Sequence, residues 1–228
     1  MTFEDLQQKL DIHFTDIALL KRAFVHRSYL NESRQTEHSN ERLEFLGDAV
    51  LSFLSSEYLF TTYPQYPEGI LTNVRSSLVK TQSLGLAAQK MHLGELLFVS
   101  RGEEESGGRK NLSLLADTFE ALLGAIFMDQ GIQVARSFLA SVLFPEVKQI
   151  IDTKSYIDFK SYLQEIVQEQ SKQSPTYRVI KTEGPDHDKT FWVDVVSQDT
   201  VLGSGMGKSK QLAQQEAASN ALEKMGKM

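Results

Sequence analysis

The chain has 228 residues, 41% of them hydrophobic, with 24 Lys and Arg against 30 Asp and Glu and a formal net charge of −6. This length suits two globular domains, and the absence of Cys excludes disulfides, thiol chemistry and a Cys-based zinc site. A polar N-terminus and the lack of any apolar run of membrane-spanning length predict a cytoplasmic protein with no membrane partner.

Thr15 and Asp16 read as a helix start. The polar stretch Asn31 to Asn40 reads as a loop that leaves Ser39 or Asn40 to cap the next helix. That helix opens with NERLEFLGDAV, Asn40 to Val50. Glu41, Glu44 and Asp48 fall at i, i+3 and i+7, on one helical face, with Leu43, Leu46 and Val50 on the other. The helix runs on as AVLSFLSSEYLF, so it is expected to be well buried, and Phe45 lies between the acidic and apolar faces. Acids at such spacing more often mark a solvated face. On a buried helix, however, unpaired charges need a partner. No Lys or Arg stands at a consistent i±4 position, and a hard divalent cation would neutralise all three.

Thr62 to Gly69, with Pro64 and Pro67, is a second loop. Glu103, Glu104 and Glu105 read as a solvated acidic loop. A second acidic helix follows over Asn111 to Gly131. Asp117 and Glu120 share one face at i and i+3, and Leu122, Leu123 and Ile126 share another. Ala121, Gly124 and Ala125 would let a neighbouring helix approach closely. Two such helices side by side would gather Glu44, Asp48, Asp117 and Glu120. An all-oxygen donor set suits Mg²⁺ or Mn²⁺ rather than Zn²⁺, and such clusters serve phosphodiester hydrolysis. Arg136 to Ile151 is predicted as a last amphipathic helix. The expected division is a helical domain over 1–152, a linker over 153–157 and a second domain over 158–226.

The tail reads as helix, three strands and helix. Phe159 to Gln170 has helical spacing and Pro175 ends it. Thr176 to Lys181 and Thr190 to Val196 are β-branched and aromatic, with Phe191, Val193 and Val195 inward. Val201 to Gly207 is the third strand, and Lys208 to Met225 the closing helix, its Ala213, Ala217 and Ala221 on the sheet. GSGMGKS, Gly203 to Ser209, imitates a phosphate-binding loop. The pattern requires Gly at 202, where Leu202 stands, so no nucleotide cofactor is expected. Lys208 and Lys210 at a helix N-terminus oppose the helix dipole, which is favourable only if an anion joins them. Ordinary surface lysines are the equal alternative. Residues 155–228 hold 9 Lys and Arg against 10 Asp and Glu, so any basic footprint is local, and nucleic-acid binding is expected to weaken sharply with salt.

NERLEFLGDAV resembles the signature of bacterial ribonuclease III. Leu19 to Glu32 looks like that family's first core helix, and Pro67 to Val79 and Gly102 to Gly131 also fit. The α-β-β-β-α order and GMGKSKQLAQQEAA resemble a double-stranded-RNA-binding domain. The resemblance implies an all-α N-terminal endonuclease domain plus a small α+β domain. It implies a Mg²⁺-dependent endoribonuclease, Mn²⁺ able to substitute, acting on double-stranded RNA as a homodimer. Its products would carry 5′-phosphates, 3′-hydroxyls and short 3′ overhangs, in processing of ribosomal RNA precursors and other structured RNAs.

By the same resemblance Glu44, Asp48, Asp117 and Glu120 hold the metal, with Asp48 and Glu120 most critical. Glu41 and Glu68 are auxiliary acids, and Phe45 inserts into the partner subunit. Ser161, Gln164, Glu165 and Gln168 would reach one minor groove. His187 would reach the next, with Lys189 nearby, while Lys208 and Lys210 grip phosphates. Gln211 and Met206 stand where the family commonly has basic residues. The alternative is a non-catalytic double-stranded-RNA-binding regulator on the same fold.

Overall fold

In the computed structural model, which describes residues 1–32, 38–185 and 188–227, the chain divides into the units Met1–Tyr156 and Ile157–Met228. Short-range polar contacts start the helices of the first unit. Thr2 caps α1 (Phe3–Leu10) in a reciprocal box with Asp5. Asp16 caps α2 (Ile17–Arg22) by accepting from the N–H groups of Ala18 and Leu19. The helix expected to continue through Glu32 stops at Arg22. Beyond it, Phe24 O accepts from Phe98 N–H at 2.9 Å and Val25 O from Asn40 N–H at 2.8 Å. Carbonyls committed to distant segments are not available to a helix, and only a 3-10 turn follows, Arg27–Asn31.

Buried Asn40 opens α3 (Glu41–Thr62) without a side-chain cap, its amide donating instead to Ala23 O at 3.3 Å. α4 (Glu68–Val79) begins behind Pro67, and extended Lys80 separates it from α5 (Thr81–Lys90). Glu103, half-buried, and exposed Glu104 and Glu105 form a helical turn, α6 (Arg101–Glu105), rather than a loop; the Ser100 side chain caps it by accepting from Glu103 N–H. α7 (Leu112–Val142) is interrupted at Gly131, with φ 80 and ψ −179. The helix expected over Arg136 to Ile151 is therefore two pieces, the end of α7 and α8 (Glu146–Asp152). Pro145 between them has no N–H to offer a continuous helix.

α3, α5 and α7 enclose the core around fully buried Phe24, Phe119, Leu51, Leu54, Leu84 and Leu122. Each such side chain contributes roughly 1.5–3 kcal/mol of burial. α3 and α7 touch backbone to backbone. A Cβ on Gly47 would lie 1.8 Å from Glu120 O, and one on Gly124 would lie 2.2 Å from Leu43 O. The expectation of a well-buried α3 is half right. Leu43, Gly47, Val50, Leu51, Leu54, Ser55 and Leu59 are buried, yet Phe45, Phe53 and Phe60 are 81%, 57% and 74% exposed. They fall within about 80° of helical rotation, a single outward apolar stripe. Among the described residues, no helix is long and apolar enough to cross a membrane.

In the second unit an antiparallel sheet, ordered β1 (Thr176–Glu183), β2 (Thr190–Ser197), β3 (Thr200–Gly207), carries α9 (Phe159–Ser171) and α10 (Lys210–Lys224) on one face. Val193 and Val195 are fully buried, whereas Phe191 is half-buried. The glycines of the imitation phosphate loop lie in β3 beneath α10. A Cβ on Gly203 would come 2.5 Å from Ala217 O, and one on Gly205 2.2 Å from Ala217 N. With Ala213, Ala217 and Ala221 facing them, these glycines let helix and sheet meet closely. α10 starts two residues later than expected because the Ser209 side chain caps it by accepting from Leu212 N–H.

Gly47→Ala or Gly124→Ala is expected to cost about 3 kcal/mol or more, the upper end of overpacking. The loss should appear as a lower urea midpoint at unchanged slope. A loss below about 1 kcal/mol would mean that the two helices part freely.

Candidate metal centre and nucleic-acid interface

The Gly47–Gly124 contact decides what faces what. Glu44 and Asp48 flank Gly47 on α3, and Asp117 and Glu120 lie within two turns before Gly124 on α7. Their charges act on one another. Glu120 is pushed up to about 8, first by burial and then by the carboxylates of Asp48, Glu44 and Asp117. Glu44 is raised by burial and by Asp117, Glu41 and Asp48, against a smaller opposing pull from Arg27. Burial also raises Asp117, opposed by His26 and Arg27. Among the described residues, no ion pair and no hydrogen bond neutralises any of the four.

Oxygen donors with no basic partner fit a hard divalent cation. The side chains themselves are spread. Among the described residues, no group of three or more Asp, Glu and His side chains is arranged to hold an ion.

The other acids behave differently. Exposed Glu41 accepts from Ser39 Oγ at 2.7 Å and lies 3.9 Å from Arg27 Nη1. Glu68 is not brought to the four. It is exposed on α4, accepts from Thr72 Oγ1 at 3.0 Å, and lines a groove of about 460 Å³ with Phe53, Phe60, Leu71 and Arg75. Phe60 is 16 residues beyond Glu44, about 24 Å along the helix. The sequence reading gave no role to His26 or Arg27, because nothing in their spacing connects the segment after α2 to α7. The bonds from Asn40 N–H to Val25 O and from the Asn40 side-chain amide to Ala23 O bring them to the acidic end of α3.

In the second unit Ser161, Gln164, Glu165 and Gln168 are exposed along one face of α9, opposite buried Leu163 and Val167. Two are already engaged. Ser161 donates through N–H and Oγ to the capping Asp158, and Gln168 Nε2 donates to Ser174 Oγ at 2.8 Å. Lys210 is the exposed first residue of α10. Lys208 lies outside the helix and donates to Asp188 Oδ1 at 2.7 Å. Half-buried Lys189 stands just before β2. His187 lies outside the described residues.

A family profile described as Ribonuclease-III-like matches residues 16–147, and one described as Double-stranded RNA binding motif matches 159–225. A protein of Enterococcus faecalis called Ribonuclease 3 is 45% identical over 223 residues, covering 96% of this chain and 95% of that protein. One of Bacillus cereus with the same name is 43% identical, covering 98% and 91%. The solved nuclease domain of ribonuclease III from Campylobacter jejuni is described as having structural flexibility in a region involved in dimer formation. It aligns with 63% of this chain and 99% of its own, at 37% identity and a TM-score of 0.59.

The raised Glu120 has a consequence for stability. The folded chain keeps this proton up to about pH 8, whereas the unfolded chain releases it near the ordinary 4.5. Between those values the folded state binds the extra proton, so rising pH favours unfolding. In chelator the melting temperature should fall across that window, and Glu120→Gln should flatten the fall. An equally steep fall in that variant would assign the loss to other groups.

Proposed function

The chain belongs to the ribonuclease III family of endoribonucleases, and from that premise we propose that it cleaves double-stranded RNA with a divalent cation, Mg²⁺ or Mn²⁺, as a homodimer in the cytoplasm. The products would be 5′-phosphate and 3′-hydroxyl ends with short 3′ overhangs, and the substrates precursors of ribosomal RNA and other structured RNAs, messenger and transfer RNA included. The observation that carries the reading is the set of four carboxyl groups opposed across the α3–α7 contact, none with an ion-pair partner among the described residues. Glu44 and Asp48 from one helix, and Asp117 and Glu120 from the other, would hold the ion. When bound, it supplies the Lewis acidity and positive charge that phosphodiester hydrolysis needs.

The protein's own contribution is placement. Glu120 must lose its proton to become a ligand, and its burial among acids makes that loss depend on the cation. The exposed row Ser161, Gln164, Glu165 and Gln168 would lie along a minor groove of A-form RNA, recognising shape and 2′-hydroxyls. Lys210 and the N–H groups opening α10 would meet a phosphate, joined by Lys208 once it exchanges Asp188 for RNA. Phe45 would insert into the partner subunit, and Glu41 and Glu68 would act as auxiliary acids. A dimer doubles the RNA-binding domains, so avidity offsets a modest basic footprint.

Purified protein should cut a long RNA duplex but not a matched single strand in Mg²⁺, and should stop in Ca²⁺ or chelator. Glu120→Gln should abolish cleavage and leave duplex binding within about twofold, since it removes a ligand charge and not a binding surface. Duplex binding without cleavage under every metal would replace this reading with the non-catalytic regulator. Lys208→Ala combined with Lys210→Ala should weaken binding and lower the slope of log affinity against log salt by about 2. An unchanged slope would remove both residues from the interface.

A further inference from the structure

Lys208 and Lys210 stand two residues apart at the entrance to α10, yet they are held differently. Lys208 Nζ donates to Asp188 Oδ1 at 2.7 Å, whereas Lys210 has no ion-pair partner among the described residues. Asp188 comes from the loop between β1 and β2, 20 residues earlier in the chain. Its carboxylate takes on Lys208 the place that a phosphate oxygen would take. Both are anionic acceptors, and an ammonium bonds either at about 2.7–2.9 Å.

The fold does not need this pair. The loop is closed at its neck, where Glu183 pairs with Thr190, and Asp188 N–H donates to Pro185 O at 2.9 Å. On the other side the Ser209 side chain caps α10, and Met206 N–H at the end of β3 donates to Glu216 on that helix. Both backbones are therefore shaped by other contacts. The two side chains of the pair are each 62% exposed. An ion pair so open to water shifts an equilibrium by no more than about fivefold. That is too little to fix a loop, but enough to register in a binding constant.

We propose that Asp188 is an internal competitor of RNA: by occupying Lys208 it sets the affinity of the second unit for duplex RNA, which must break the pair to reach that ammonium. The inference rests on the reading in which Lys208 meets a phosphate. A carboxylate and a phosphate sharing one ammonium would stand about 5 Å apart, inside the screening length of about 8 Å at physiological salt, and would repel each other. Binding therefore includes the loss of the ion pair. A polyanion that met the unit at Lys208 alone would gain little. A duplex that also lies along α9 and meets Lys210 recovers the loss.

The test is a double-mutant cycle on the full-length protein in chelator, at about 0.15 M salt, with a labelled RNA duplex read by fluorescence polarisation. The duplex has about 16 base pairs, the span of one such domain, so that avidity does not multiply the effect. Asp188→Asn keeps the shape of the side chain and removes its charge. It should tighten binding, and the tightening should be about two- to fivefold larger with Lys208 present than in Lys208→Ala. Equal tightening in both backgrounds would reduce Asp188 to general repulsion of RNA and overturn the proposal. Weaker binding by Asp188→Asn would make the pair a support of the interface and also overturn it. If Lys208→Ala changes binding in neither background, Lys208 does not meet RNA, and the reading on which the inference rests fails with it. If Lys208→Ala weakens binding by the same factor in both backgrounds, that reading stands and this inference alone fails.

Discussion

The backbone contact between α3 and α7 is the constraint on which the first unit depends. Two helices normally pack 8–10 Å apart, with side chains between them. Gly47 and Gly124 remove those side chains at one crossing, so that a Cβ at either position would enter the other helix's peptide. The close approach has a chemical result. Residues within two turns of the crossing are brought towards one another, and here they are Glu44, Asp48, Asp117 and Glu120. Small residues at the contact and acids beside it are one design read at two levels, packing and charge.

The same two helices meet again with the opposite chemistry. Arg136 on α7 donates to both carboxylate oxygens of Glu57 on α3, at 2.7 to 3.0 Å. There the charges are complementary and bidentate, and the pair stabilises the fold. At the glycine crossing the charges are alike and partly buried, an arrangement that weakens the fold unless a cation joins it. A sequence that bears such strain at one end of a helix pair and relieves it at the other separates function from stability within a single contact.

The second unit repeats the economy of the first. Gly203, Gly205 and Gly207 in β3 face the alanines of α10, so helix and sheet lie closer than larger residues allow. That seating leaves Lys210 and the opening N–H groups of α10 at the surface, next to Lys208 and its partner Asp188. A run of glycines before a lysine thus serves packing first, and its resemblance to a phosphate-binding loop is incidental. Under the proposed reading, attraction of RNA here would start from a lysine already paired with an acid, which lowers the local charge until a phosphate displaces that acid.

Much of the architecture is legible in the chain. Spacing at 3.6 residues places Glu41, Glu44 and Asp48 on one face and Asp117 with Glu120 on another, and β-branched runs mark the strands of the tail. Cap residues locate several helix starts, Asp16 and Ser209 among them, because a cap is a contact within three residues. The limits fall where contacts are long-range. The helix expected over Leu19 to Glu32 breaks because Phe24 and Val25 bond to segments reached only in the folded chain. Phe53 and Phe60 read as core and are exposed, since periodicity groups residues by face without saying which face is covered. Glu41 and Glu68 are equivalent as acids in the sequence, yet the fold keeps one beside the four carboxylates and sends the other to a distant groove. Sequence alone therefore determined most of the elements, their acidic faces and their oxygen-donor chemistry, all set by neighbours within a turn or two. Only the tertiary structure decided that Gly47 meets Gly124, because that pairing depends on the packing of residues 77 positions apart.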